Sequence, residues 1–223
     1  MNPVDLRLYA IIGPEQAGGR DLPDLVRAAI RGGCTVVQYR DKTSPTRAMV
    51  EQARALRQAC DGTGVPLLVN DRVDVALAAR AHGVHLGQED LHAEDARRLL
   101  GPEAIIGLTV KTARQADELY RLRVDYACIG GVFATTSKVN PEPPVGLDGL
   151  SRIAFRARLA APGTPVGAIA GINAGNAAAT VGAGADGVAV IAALFGAEDV
   201  EAAARALRGT VDRALAARGA TAR

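Results

Sequence analysis

The stretch PLLVNDRVDVALAARAHGVHLGQEDLHAEDARRLL, residues 66–100, decides the fold. It holds two full periods of one pattern: a short apolar run, a few polar residues, then a longer Ala/Leu/Arg segment. Pro66-Leu-Leu-Val69 and Gly83-Val-His-Leu86 are too short for helices. They lack the apolar–polar alternation of a half-exposed strand, so they read as strands covered on both faces. Residues 71–82 and 93–100 read as the helices that cover them. Working outward, strand runs recur at 8–12, 35–40, 105–108, 126–129, 165–169 and 187–191. Helical segments fall at 21–31, 45–60, 112–122, 147–159 and 174–181, and a last one closes the chain. Pro45 takes the permitted first turn of its helix, and Thr112 suits a cap. About eight strand–helix units of ~28 residues each match the repeat of a (β/α)8 TIM barrel, an α/β fold. One domain is expected over residues 1–223, with the barrel at about 8–217 and a frayed C-terminal end. An open doubly wound sheet is the alternative, with fewer strands and one crevice.

Composition narrows the function. The 223 residues are 48% hydrophobic and 22% charged, which is ordinary for a folded globular chain. Aromatics reach only 3% and tryptophan is absent, which disfavours a single-strand nucleic-acid platform. A formal net charge of +2 gives no reason to propose a nucleic-acid or membrane partner, and a homo-oligomer is compatible with it. The opening Met1-Asn-Pro-Val-Asp-Leu-Arg lacks an apolar signal core, and the apolar stretch 187–197 is too short to span a bilayer. Cys34, Cys60 and Cys128 are odd in number and widely spaced, so they read as buried thiols in a reducing cytoplasm. Gly182-Ala-Gly184-Ala-Asp-Gly187 spells a dinucleotide-binding pattern, but a helix precedes it and a strand follows, the reverse of the required order. These glycines are expected to end one helix and turn into the last strand.

Lysine occurs three times against 23 arginines, and Lys42, Lys111 and Lys138 each follow a strand run. A lysine is a mobile point charge that suits one phosphate oxygen, where arginine supplies a planar fork. In a barrel all strand C-termini share one mouth, which carries the chemistry. That mouth would gather Gln38, Arg40 and Lys42, then Asn70 and Asp71, Asp90, Thr109, Thr135, Ser137 and Lys138, Gly171, and Ile191 with Ala192. Asp71 and Asp90 lie on adjacent strands, and two carboxylates with phosphate oxygens and water favour Mg2+ over Zn2+. A helix cap is the competing role for each. His82, His85 and His92 do not form a four-ligand zinc arrangement. The stretch 131–144 is long for a strand–helix connection and is a candidate substrate loop.

Gln38-Tyr39-Arg40-Asp41-Lys42, Val69-Asn-Asp71, His85-Leu-Gly-Gln-Glu-Asp90, Thr135-Thr-Ser-Lys138 and Gly184-Ala-Asp-Gly-Val-Ala-Val190 resemble the thiamine-phosphate synthase family. The resemblance runs from about Leu8 to Leu207, with the motifs in order after their strands. It implies a transferase of thiamine biosynthesis that joins 4-amino-2-methyl-5-(diphosphooxymethyl)pyrimidine to a hydroxyethylthiazole phosphate and releases pyrophosphate. By position, Gln38, Tyr39, Arg40, Asp41, Lys42, Asn70, Thr109 and Lys138 would bind the pyrimidine diphosphate. Asp71 and Asp90 would hold one Mg2+, and Thr135, Thr136, Ser137, Gly171, Ile191 and Ala192 would line the thiazole phosphate site. Arg40, Lys42 and Lys138 would carry the catalysis by stabilising departing pyrophosphate. The chain departs from the family pattern at Ala192 for Ser, Ala170 for Gly, Thr109 for Ser, Lys111 for His and Gly131 for Pro. Lys111 is therefore expected to be a rim charge. Two rivals remain: thiazole tautomerase-like isomerases on the same fold, which need no pyrimidine diphosphate site, and a non-catalytic ligand-binding relative.

Overall fold

The computed structural model describes residues 3–135 and 142–221. Its strands are β1 (Leu8–Ile12), β2 (Val36–Tyr39), β3 (Leu67–Asn70), β4 (Gly83–Leu86), β5 (Ile105–Val110), β6 (Tyr126–Ile129), β7 (Val166–Ile169) and β8 (Gly187–Val190). They pair in parallel in chain order, and β8 returns to β1 with Tyr9 opposite Ala189, closing the barrel. The open doubly wound sheet is thereby excluded.

Helices cover the outside: α1 (Pro14–Ala17), α2 (Leu22–Arg31), α3 (Thr46–Cys60), α4 (Val73–Ala79), α5 (Ala93–Leu100), α6 (Ala113–Asp117), α7 (Gly146–Ala160), α8 (Ala177–Gly182), α9 (Ala192–Phe195) and α10 (Val200–Thr221). Local chemistry explains several ends. Asp21 caps α2 by accepting from Asp24 N, and Thr112 and Gln115 form a reciprocal capping box on α6. Arg80 ends α4 in the left-handed conformation at φ 53°. The two shortest helices, α1 and α9, have no periodicity to announce them and were not anticipated from sequence. The dinucleotide-like glycines do end a helix: α8 stops at Gly182, and Gly184 turns at φ 116° into β8.

Strand parity sorts the side chains. Tyr9 and Ile11, Val36, Leu68, Tyr126 and Cys128, and Ala189 pack together inside the barrel. The alternate residues Leu8, Ala10 and Ile12, Val37 and Tyr39, Val84 and Leu86, and Val188 and Val190 face the helices. Both sets are buried, so the alternation is invisible in hydrophobicity and emerges only when the sheet closes. Each residue near the top of a strand therefore points inward only if it shares the parity of Tyr9.

Candidate active site

That parity decides which polar residues meet. Arg40 and Lys111 come just beyond β2 and β5, while Gln38, Asn70, His85 and Thr109 come from the strands themselves. All six line one cavity at the C-terminal mouth, together with Tyr9, Thr135, Ala170 and Ile191. Its empty space, including the part open to solvent, is about 660 Å³. A continuation of the mouth is lined by Thr135, Gly171, Ile191, Ala192 and Ala193. Ala192 opens α9, so its N–H has no intrahelical acceptor.

Tyr39 and Asp41 take the other parity, and their side chains do not line this cavity. The Tyr39 hydroxyl donates to Asp41 Oδ2 at 2.8 Å, and the Thr43 and Ser44 N–H groups donate to Oδ1 at 3.0 and 2.9 Å. Burial alone would push the Asp41 carboxyl up, but the Ser44 and Thr43 N–H groups and the hydroxyl contacts overcome it and hold it at about 2. This permanently charged turn shapes the loop that carries Arg40 and Lys42.

Neither metal candidate caps a helix. Asp71 sits at φ 60°, two residues before α4, with its N–H on His85 O at 2.9 Å, and its carboxylate meets the Lys42 ammonium. Asp90 accepts from Gly87 N at 2.7 Å, while His92 caps α5. The two carboxylates are neighbours. Burial first, then the hydrogen bond and charge of Asp71, raise the Asp90 carboxyl above its ordinary range. Among the described residues no third His, Cys, Asp or Glu joins them. Mg2+ commonly takes one or two carboxylates and completes its shell with water and substrate phosphate, so the pair fits that ion.

The loops after β6 and β7 brace each other. Phe133 N donates to Ala170 O at 3.1 Å, and Val145 N to Gly131 O at 2.9 Å, which pins both ends of the long connection. Gly171 turns at φ 64°, and a Cβ there would lie 2.4 Å from Ala134 O, so only glycine fits. Thr136, Ser137 and Lys138 lie outside the described residues.

Sequence reasoning passed over the cavity floor. Tyr9, His85 and Tyr126 form a buried polar layer directly beneath Gln38 and Thr109, with His85 Nε2 2.8 Å from Thr109 Oγ1 and Nδ1 2.8 Å from the Tyr126 hydroxyl. Tyrosines within apolar runs look like core, and only their common parity would have given them away. Lys111 also proves to be a wall residue: its side chain covers Gly130, and its Nζ stands 3.7 Å from Glu142.

Comparison with known proteins bears directly on this constellation. Residues 8–194 match the family described as thiamine monophosphate synthase. The chain belongs to that family. It is 52% identical to the thiamine-phosphate synthase of Agrobacterium fabrum (strain C58), over 98% of this chain and 99% of that one. It is 48% identical to the thiamine-phosphate synthase of Moorella thermoacetica, over 93% and 96%. The solved thiamine phosphate pyrophosphorylase from Pyrococcus furiosus superposes with a TM-score of 0.82 at 40% identity, over 95% of this chain and 98% of that one. The family match spans every strand, from β1 to the start of α9.

Proposed function

We propose that this family member makes thiamine phosphate from 4-amino-2-methyl-5-(diphosphooxymethyl)pyrimidine and a hydroxyethylthiazole phosphate, releasing pyrophosphate. The observation that carries the assignment is the mouth itself. Arg40, Asn70 and Thr109 converge on one cavity, and Lys42, Asp71 and Asp90 stand together at the ends of neighbouring strands. A tautomerase-like isomerase has no use for that diphosphate and cation set, and an intact set of this kind favours catalysis over silent binding. The similarity to curated synthases over nearly the whole chain supports the same choice.

In this mechanism Gln38, Asn70 and Thr109 orient the pyrimidine, and Arg40, Lys42 and Lys138 hold its diphosphate. Asp71 and Asp90 would hold Mg2+, which would supply charge neutralisation to the departing pyrophosphate. The C–O bond pair leaves with pyrophosphate, and the aminopyrimidine delocalises the positive charge left on its methylene carbon. The thiazole nitrogen lone pair then forms the new C–N bond. Thr135, Thr136, Ser137, Gly171, Ile191 and Ala192 hold the thiazole phosphate so that this nitrogen lies in line. No protein nucleophile is required. Positioned cations are sufficient, because the charge develops on the leaving group. Among the described residues no helix is long and apolar enough to cross a membrane, and the three buried free thiols suit a reducing cytoplasm as the working compartment.

Mixing the two substrates with the protein, with and without EDTA, tests the proposal. Thiamine phosphate should form only where divalent metal is present. Product in EDTA would remove the metal role, and no product in either arm would overturn the reaction.

A further inference from the structure

The cavity floor is a single hydrogen-bonded chain whose direction can be worked out atom by atom. Gln38 donates from Nε2 to the Tyr9 hydroxyl. Tyr9 and Tyr126 share a bond of 2.8 Å, Tyr126 meets His85 Nδ1 at 2.8 Å, and His85 Nε2 meets Thr109 Oγ1 at 2.8 Å. Each phenol has one proton, and burial above all raises both phenols far above their ordinary range. Tyr9, having accepted from Gln38, gives its proton to Tyr126. Tyr126 gives its own to Nδ1. His85 is then the neutral tautomer with its proton on Nε2, which it donates to Thr109. The Thr109 hydroxyl proton and the Gln38 Oε1 are left for the cavity.

The surroundings hold this chain in place. Gln38, Tyr9, Tyr126 and His85 are 1, 1, 0 and 7% exposed, so water cannot break in from below. His85 stacks on Tyr126 at 5.5 Å between ring centres, and Tyr9 meets Tyr126 edge-on at 5.8 Å. A Cβ at Gly107 would lie 2.0 Å from the Tyr126 ring, so β5 carries no side chain where that ring crosses the barrel.

We propose that Tyr9, Tyr126 and His85 are positioning residues that lock Gln38 and Thr109 into one polarised unit, an acceptor and a donor presented together to the substrate ring. Such a wall selects a ring bearing an N–H donor beside a bare ring nitrogen, as a 4-aminopyrimidine does. It rejects the 4-oxo lactam, whose donor and acceptor are exchanged. The inference rests on the synthase reading for the identity of the ring. The direction of the chain stands apart from it.

Nitrogen-15 NMR of the resting protein, which has three histidines, should find the His85 proton on Nε2. Calorimetry without thiazole phosphate should find the 4-aminopyrimidine diphosphate bound about a hundredfold more tightly than its 4-oxo counterpart, the effect of two mismatched hydrogen bonds. Tyr126→Phe, which keeps the ring but cuts the chain away from the cavity, should bring that ratio close to one while leaving KM for the thiazole phosphate unchanged. Thr109→Val should lower the ratio only by the roughly tenfold share of its own hydrogen bond, and the double variant should fall no lower than Tyr126→Phe alone. A proton on Nδ1, a preference for the 4-oxo ring, or an unchanged ratio in Tyr126→Phe would overturn the proposal. Failure of the wild-type protein to form thiamine phosphate would strike the reaction instead, because the NMR and binding measurements need no turnover.

Discussion

Arg97 and Lys42 each face one aspartate, yet the two pairs work in opposite ways. Arg97, at the N-terminal end of the barrel, donates to Asp125 at 2.6 Å and to the carbonyls of Gly101, Pro102, Ala104 and Arg123. Asp125 in turn accepts from Ile106 N at 2.7 Å, which ties β5 to β6. The same device recurs two strands on: Asp186 accepts from Val166 N at 2.9 Å and pairs with Arg158 and Arg218. Here Arg97 uses both terminal guanidinium nitrogens on fixed acceptors, a role that suits a rigid planar cation. At the mouth, among the described residues, Lys42 has only Asp71 as a salt-bridge partner, and its own side chain is half-exposed. A single mobile ammonium can leave its partner for a phosphate oxygen. The two ends thus divide stability from function, as the barrel architecture leads one to expect.

Breaking the arginine end should give the largest effect. Arg97→Met removes a buried guanidinium, leaves half-buried Asp125 without its cation and several carbonyls without their donor, and should cost about 3 kcal/mol of stability in urea unfolding, with kcat of the folded fraction unchanged. Loss of kcat without loss of stability would dissolve the contrast. Lys42→Ala should do the reverse. Turnover should fall by about 10²–10³, while the exposed pair it removes is worth about 0–1 kcal/mol, so Tm should hardly move.

Ala170 sharpens the boundary between the ends. It stands at the mouth with φ 94°, in the left-handed region that favours glycine. Ala170→Gly should raise stability by about 1 kcal/mol by relieving that backbone, readable as a higher Tm with KM for the thiazole phosphate unchanged or lower.

The smallest effect should come from Asp90→Asn without metal. Burial and Asp71 hold the Asp90 carboxyl above its ordinary range, so its charged form opposes folding at neutral pH. The variant should be slightly more stable than wild type at pH 7, and the gap should close as pH falls and wild-type Asp90 protonates. A variant less stable at pH 7 would show that this carboxylate supports the fold instead of straining it.

Residues 66–100 were enough to predict strand, helix, strand, helix, because short uninterrupted apolar runs and longer Ala-rich segments are local properties. Repetition of that unit along the chain then led to the barrel. The polar residues at the strand ends, Gln38, Arg40, Asn70 and Thr109, were legible for the same reason: each follows an apolar run and has no place in a core. Tyr39 and Asp41 show where that logic fails. They lie within the same motif as Arg40, but opposite parity turns one toward the helices and the other into a loop turn. Tyr9, His85 and Tyr126 were hidden for the converse reason, since an aromatic on a fully buried strand looks alike on either face.

The sequence by itself determined the order of the eight strand–helix units, the one-domain barrel and the family, because these follow from local periodicity and from motifs read in order. Only the tertiary structure decided which side of each strand meets the ligand and which polar groups beneath it join into one chain. Both depend on closing a sheet whose two faces are equally buried, and no local pattern records that closure.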